Sequence, residues 1–151
     1  MGALSNYLES GILGYLLRNE TMPAPFSGPA QSFYVGLVQS YNAADLELGI
    51  MTQEPPDGTC GYARQAVGRS DKYWISPYLN GNATATHNIS GIKFPPVIDN
   101  DLGQVDGVII TDSENSQQGN LLFHGKLTTT RTLLKDSQFI FASGTLKITF
   151  D

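Results

Sequence analysis

The chain has 151 residues, 40% hydrophobic, 10% aromatic and only 15% charged, enough apolar content for one domain with a core and too much for a disordered chain. Nine Lys and Arg against fourteen Asp and Glu leave a net charge of −5, and the basic residues are scattered, which excludes a nucleic-acid binder built on clustered cations. A single cysteine, Cys60, excludes an internal disulfide framework and a multi-cysteine zinc site, and no apolar run is long enough to insert across a membrane.

From Leu4 to Arg18, the residues Leu4, Tyr7, Leu8, Ile12, Tyr15 and Leu16 recur at three- and four-residue spacings, which predicts one amphipathic α-helix. Asn6 is its expected N-cap, with Glu9 in the capping-box position. The segment lacks a basic leader and carries Glu9 within it, so it reads as a helix rather than a targeting signal. Leu13 and Leu17 widen the apolar stripe, while Gly11 and Gly14 each weaken the helix by about 1 kcal/mol relative to alanine. Such a helix needs a partner surface, in its own domain or on a neighbour. Met22 to Gln31, with Pro23, Pro25, Gly28 and Pro29, cannot continue it and reads as an extended connector. The expected division is residues 1–31, helix and connector, and residues 32–151, a β-sandwich domain.

Ser32–Gln39 has the β-branched and aromatic content of a buried strand. Tyr41–Gly58 is a long polar excursion in which Asp45–Leu48 predicts a turn of helix, with Leu46 as its contact residue. Further strands are expected at Tyr62–Val67, Thr84–Phe94, Val105–Thr111, Asn120–Leu127, Thr130–Leu134, Gln138–Phe141 and Thr145–Phe150. In the last of these Leu146, Ile148 and Phe150 face one way and Lys147 and Thr149 the other, which predicts that the chain runs in the core to Phe150, without a trailing tail. The expectation is a mainly β fold: an antiparallel β-sandwich or flattened barrel of about seven to eight strands with one N-terminal amphipathic α-helix. No internal repeat suggests a solenoid or propeller.

Chemical motifs are sparse. There is no Walker loop, dinucleotide fingerprint or paired-histidine helix, and no cofactor is expected. His87 and His124 read as packed or edge residues of strands, and Cys60, in the turn Gly58–Gly61, as structural. Asp99, Asp101, Gly103 and Asp106 resemble an oxygen-rich cation loop, but EF-hand spacing fails and a solvated turn is expected. The sequons at Asn19, Asn82 and Asn88 carry meaning only in a glycosylating host. A glycan hydrolase would need two carboxylates at a set separation, and the sequence does not place Glu47, Glu54, Asp99 and Asp101 relative to one another, so no enzyme is expected. The loop aromatics Tyr73, Trp74 and Tyr78 have two readings: protein or sugar contacts, or a cover over one open end of the sandwich.

The opening Ala3-Leu4-Ser5-Asn6-Tyr7-Leu8-Glu9, the central Gly61-Tyr62-Ala63-Arg64-Gln65-Ala66-Val67, the pair Phe94-Pro95, the run Gly119-Asn120-Leu121-Leu122 through Gly125 and Leu127, and the closing Leu146, Ile148, Phe150 and Asp151 follow one order along the chain. In this the chain resembles a family of small tailed-bacteriophage structural proteins commonly labelled phage tail fibre proteins. It differs in the insertion Asp45–Pro56 and in the elaborated loop Tyr73–Gly81, which are expected to carry contacts particular to this virion. The resemblance implies a virion component, assembled in the host cytoplasm, whose partners are other copies of itself and other virion proteins of the tail or the major capsid lattice. The leading expectation is a tail-associated fibre, tip or adaptor component. The alternatives are a capsid cement or decoration protein and a host-surface carbohydrate-binding module using Tyr73, Trp74 and Tyr78. The expected contact residues are Leu8, Ile12, Tyr15, Leu46, Tyr73, Trp74 and Tyr78.

Overall fold

The computed structural model describes residues 2–26 and 32–150, so the end of the predicted connector, residues 27–31, lies outside the described residues. In chain order the elements are β1 (Gly2–Leu4), α1 (Asn6–Arg18), β2 (Phe33–Val38), α2 (Ala43–Glu47), β3 (Gln65–Val67), β4 (Tyr78–Asn80), β5 (Ala83–His87), β6 (Ile92–Lys93), β7 (Gly103–Thr111), β8 (Leu121–Leu133), β9 (Ile140–Phe141) and β10 (Lys147–Phe150). They form a five-stranded sheet of order β1-β8-β7-β2-β3, a three-stranded sheet β10-β5-β4 and a two-stranded ribbon β6-β9, with antiparallel pairing in each. The fold is mainly β with one N-terminal helix, as expected, and with about ten strands rather than seven or eight.

The unbroken apolar run of β2 follows from a main sheet covered on both faces. Val35 and Leu37 enter the larger core with Phe94, Phe141 and Leu146, while Val38 enters a second cluster with Leu46, Met51, Ile109 and Leu121 on the other side. The larger core is aromatic at its centre: Tyr62 stacks on Phe94, which meets Phe139 and Phe141 edge-on.

Four differences from the sequence expectation have physical reasons. The helix is capped by Ser5, not Asn6: Ser5 is extended, its backbone N–H donates to Leu122 O at 3.0 Å, and its Oγ accepts from Leu8 N at 3.4 Å and donates to Leu121 O. The glycines of α1 are close-approach positions: a Cβ at Gly11 would lie 2.4 Å from Pro23 Cγ, and one at Gly14 would lie 2.3 Å from Glu20 Oε2, so the connector folds back against the helix. The two strands expected at Asn120–Leu127 and Thr130–Leu134 are one strand, β8, whose pairing with β7 jumps from Gly107↔Lys126 to Val105↔Arg131 and leaves Leu127–Thr130 as a bulge. The strand expected at Thr84–Phe94 is interrupted after His87, where the buried Asn88 donates from Nδ2 to Ser90 O and Ala142 O and accepts Leu146 N on Oδ1.

The last strand is core only at its start. Leu146 is buried, but Phe150 is 47% exposed and stacks on Phe123, which corrects the expectation that the end of the chain lies in the core. β4 lies within the expected loop Tyr73–Gly81, because its three residues carry no alternation in the sequence; it forms by pairing back on β5 through the positive-φ Gly81.

Candidate functional site

The most constrained chemistry in the molecule lies where the loop after α2 meets the loop between β7 and β8. Glu54 and Arg64 form a fully buried ion pair, with Arg64 Nε on Oε1 at 2.8 Å and Nη2 on Oε2 at 2.7 Å. Arg64 Nη1 reaches Thr111 Oγ1 and Ser113 O, both at 2.7 Å, and Gln118 O at 3.0 Å. Glu54 also accepts Tyr62 O–H at 2.8 Å and Gln117 N–H at 2.7 Å, while Tyr62 Oη accepts Leu37 N–H at 2.9 Å. Burial, and next the Glu54 carboxylate, push the Tyr62 phenol well above the ordinary tyrosine range. Gly36 makes room for this group: a Cβ there would stand 2.6 Å from Glu54 Oε1. The network is a clamp that fixes two long loops to β2 and β7, and no buried side-chain nitrogen or oxygen among the described residues lacks a partner.

A second polar junction holds α2. Tyr41 Oη lies 2.9 Å from His124 Nδ1, and His124 Nε2 lies 3.2 Å from Glu47 Oε1. Since a carboxylate only accepts, Nε2 carries a proton, and in the neutral ring the Tyr41 hydroxyl donates to Nδ1. Burial, with Glu47 second, raises the Tyr41 pKa. In the loop expected to resemble a cation site, Asp101 Oδ1 accepts Lys135 N–H and Asp106 Oδ1 accepts Tyr41 N–H, both at 2.8 Å. No group of three or more potential metal-ligating side chains occurs among the described residues. Cys60 sits in the short 3-10 turn Thr59–Gly61, half-buried against the larger core.

The seven residues expected to make contacts fall into different places. Leu8 and Leu46 are buried within the chain itself and present no surface, and Ile12 is half-buried. Tyr15 is 54% exposed although it lies seven residues beyond Leu8 on the same side of the helix, while Leu13, Leu16 and Leu17, 56%, 67% and 78% exposed, form the outward face of α1. The expected stripe includes Tyr15 and Leu16 and is widened by Leu13 and Leu17; in the structure it divides into a buried base at Leu8 and an exposed apolar surface further along the helix. Tyr73 is exposed and its ring covers Gly68, whereas Trp74 is half-buried with its indole N–H donating to Gly68 O at 3.0 Å.

The three aromatics therefore do not make a common platform. Trp74 lines an apolar groove of 270 Å³ with Phe33, Phe123, Ile148 and Phe150. Tyr78 lines a different and larger cleft, of 510 Å³, between β8 and β10, where its ring meets His87 edge-on at 6.0 Å. Lys126, Thr128, Thr145 and Lys147 complete the rim of that cleft. These last four residues carried no signal of a site in the sequence, because they are brought together only by the β8 bulge and the closing strand.

No helix among the described residues is long and apolar enough to cross a membrane. In comparisons with known proteins, a family model described as Podophage GP4 fiber I protein gp80 matches residues 3–149. No curated protein matches the chain.

Proposed function

The chain belongs to the family of the podophage GP4 fiber I protein gp80, and from that premise we propose that it is a tail-side fibre, tip or adaptor subunit that works by burying the outer face of α1 against a neighbouring virion subunit. It is a phage fibre structural protein and a component of the virion. The observation that carries the finer reading is the stripe Leu13, Leu16 and Leu17, three large apolar side chains exposed at i, i+3 and i+4 on one helical face. The rest of the molecule supports it. The helix is held at its base by Ser5 and Leu8, so its outer face is presented on a fixed element rather than on a loop. Repetition around a particle then turns modest contacts per copy into firm attachment.

The test is incorporation into purified particles. The double variant Leu16→Asp and Leu17→Asp is expected to remain a folded protein with an unchanged melting midpoint and to be lost from virions. Normal incorporation would overturn the role of this face. Quantitative mass spectrometry against the major capsid protein separates the two virion locations: a few copies per particle agree with a tail position, and a ratio near that of the capsid protein would make the chain a cement or decoration protein instead.

A further inference from the structure

We infer that the cleft between β8 and β10 is a binding site for an anionic saccharide. Its volume of 510 Å³ lies within the range of small-ligand sites, and it is open to solvent on a rigid frame of paired strands. The inference concerns ligand binding by the isolated chain and goes beyond the assembly role of α1.

Charge is the first argument. The chain carries a net charge of −5, yet none of the residues lining the cleft is acidic, while Lys126 and Lys147 both lie on its rim. Neither lysine pairs with a carboxylate among the described residues. Two cations facing one cavity in an acidic protein set up a local field for an anion.

Hydrogen-bonding capacity is the second. Lys147 stands directly opposite His87 in the β10–β5 ladder. His87 Nδ1 lies 3.2 Å from Asn88 O, a carbonyl that can only accept, so in the neutral ring Nε2 is an acceptor, and it has no protein partner among the described residues. The hydroxyls of Thr128 and Thr145 add groups that both donate and accept. The Leu127–Thr130 bulge is what carries Thr128 out of the regular ladder.

Shape is the third. Tyr78 supplies an aromatic ring beside this polar rim, and the floor is the apolar core at Val108, Phe141 and Leu146. A sugar ring presents C–H faces to an aromatic surface and hydroxyls at its edge, so a saccharide with a carboxylate or phosphate matches rim, ring and lysines together. A carboxylate could come from a uronic acid and a phosphate from a phosphorylated sugar; both meet the same two lysines.

The experiment is an NMR titration of the full chain with digalacturonate, mannose 6-phosphate and the neutral control cellobiose. Shifts confined to Thr128, Thr145, Lys147 and their neighbours are expected with an anionic sugar, with cellobiose about tenfold weaker and the affinity falling as salt is raised. A response to digalacturonate alone assigns the carboxylate form, and one to mannose 6-phosphate alone the phosphate form. The exposed pair Lys126→Gln and Lys147→Gln should keep its melting midpoint and lose about tenfold in affinity. Tyr78→Ala should weaken binding of the same sugar without altering the salt dependence. Absence of shifts with both anionic sugars, binding of cellobiose as tight as theirs, or an unchanged affinity in the lysine variant would overturn the assignment. Tighter binding of an acidic peptide at the same amides would also overturn it, in favour of a protein partner. Because these readouts use purified protein, their failure leaves the particle-incorporation result for α1 untouched.

Discussion

Arg64 grips Glu54 with two parallel hydrogen bonds in a place from which water is excluded, and each partner is also bonded to a loop that neither could hold alone. A buried pair of this kind is costly to break from one side, because the surviving charge stays buried and unpaired. Glu54→Gln and Arg64→Met are each expected to lower stability by about 3–5 kcal/mol. Urea denaturation of the two single variants and the double variant checks this, with the double variant falling well short of the sum of the singles.

Gly36 offers a test of how rigid the clamp is. A methyl group at this position would meet Glu54 Oε1 at 2.6 Å and both Tyr62 Oη and Ile109 Cγ1 at 3.0 Å. Glu54 cannot swing away without releasing Arg64, so Gly36→Ala should cost about 1–3 kcal/mol as an overpacking change. A melting curve unchanged from wild type would show that the carboxylate moves freely.

The Tyr62 phenol gives the clamp a pH dependence at the alkaline end. Its native pKa is raised from the ordinary 10.0, so the native state holds the proton more tightly than the unfolded chain does. The associated stability is fully present below about pH 10 and is lost as pH rises from there toward the native value. Denaturation at a series of alkaline pH values should show stability falling in wild type. Tyr62→Phe should be less stable at neutral pH by about 1–3 kcal/mol, since Leu37 N–H loses its acceptor, and should show a shallower alkaline decline. An identical decline in both proteins would assign the effect to other groups, among them Tyr41, whose pKa is also raised.

Position along α1 should decide the kind of damage a substitution does. Leu8 is buried at the base of the helix, so Leu8→Ala is expected to cost about 2–5 kcal/mol. Leu17→Ser, at the exposed end of the outer face, should stay within about 0.5 kcal/mol of wild type in chemical denaturation. Equal losses at the two positions would mean that the outer face is covered within the chain.

Trp74→Ala removes a half-buried ring and the bond from its indole N–H to Gly68 O, so it should destabilise the protein by about 3–5 kcal/mol as well as alter any surface property. Thermal melting detects this directly. A full-stability variant would show that Trp74 is not part of the packing between the sheets.

The strands with sustained apolar content were legible in the sequence, and the reason is local. β2 and β7 each place β-branched residues on two covered faces, and α1 shows helical spacing over three turns. What was not legible depends on distant partners. Ser5 is the cap because β8 fixes it, whereas the local capping-box spacing to Glu9 favours Asn6. β1 is three residues long and exists only by pairing with β8. The Glu54–Arg64 pair lies within irregular chain, where burial of a charge has no periodic signature; the nearest hint was the conjunction of Tyr62 and Arg64 in a run otherwise made of small residues. The rim of the β8–β10 cleft likewise needs the bulge at Leu127–Thr130, which in the sequence reads as a break between two strands.

The anchoring of Ser5 to Leu121 and Leu122 also sets an order of events during synthesis. The partners of this bond are 116 residues apart, so the base of α1 cannot be covered until most of the chain has left the ribosome. At ordinary translation speeds of about 5–20 residues per second, that interval is roughly 6–23 s. Throughout it an apolar helix is without the strand that receives it, in a crowded cytoplasm where other nascent copies are being made. Closure of the first strand onto the eighth is a long loop to form and belongs among the slower steps of folding. The nascent chain is thus exposed to premature association for longest at the same helix whose outer face the finished subunit presents.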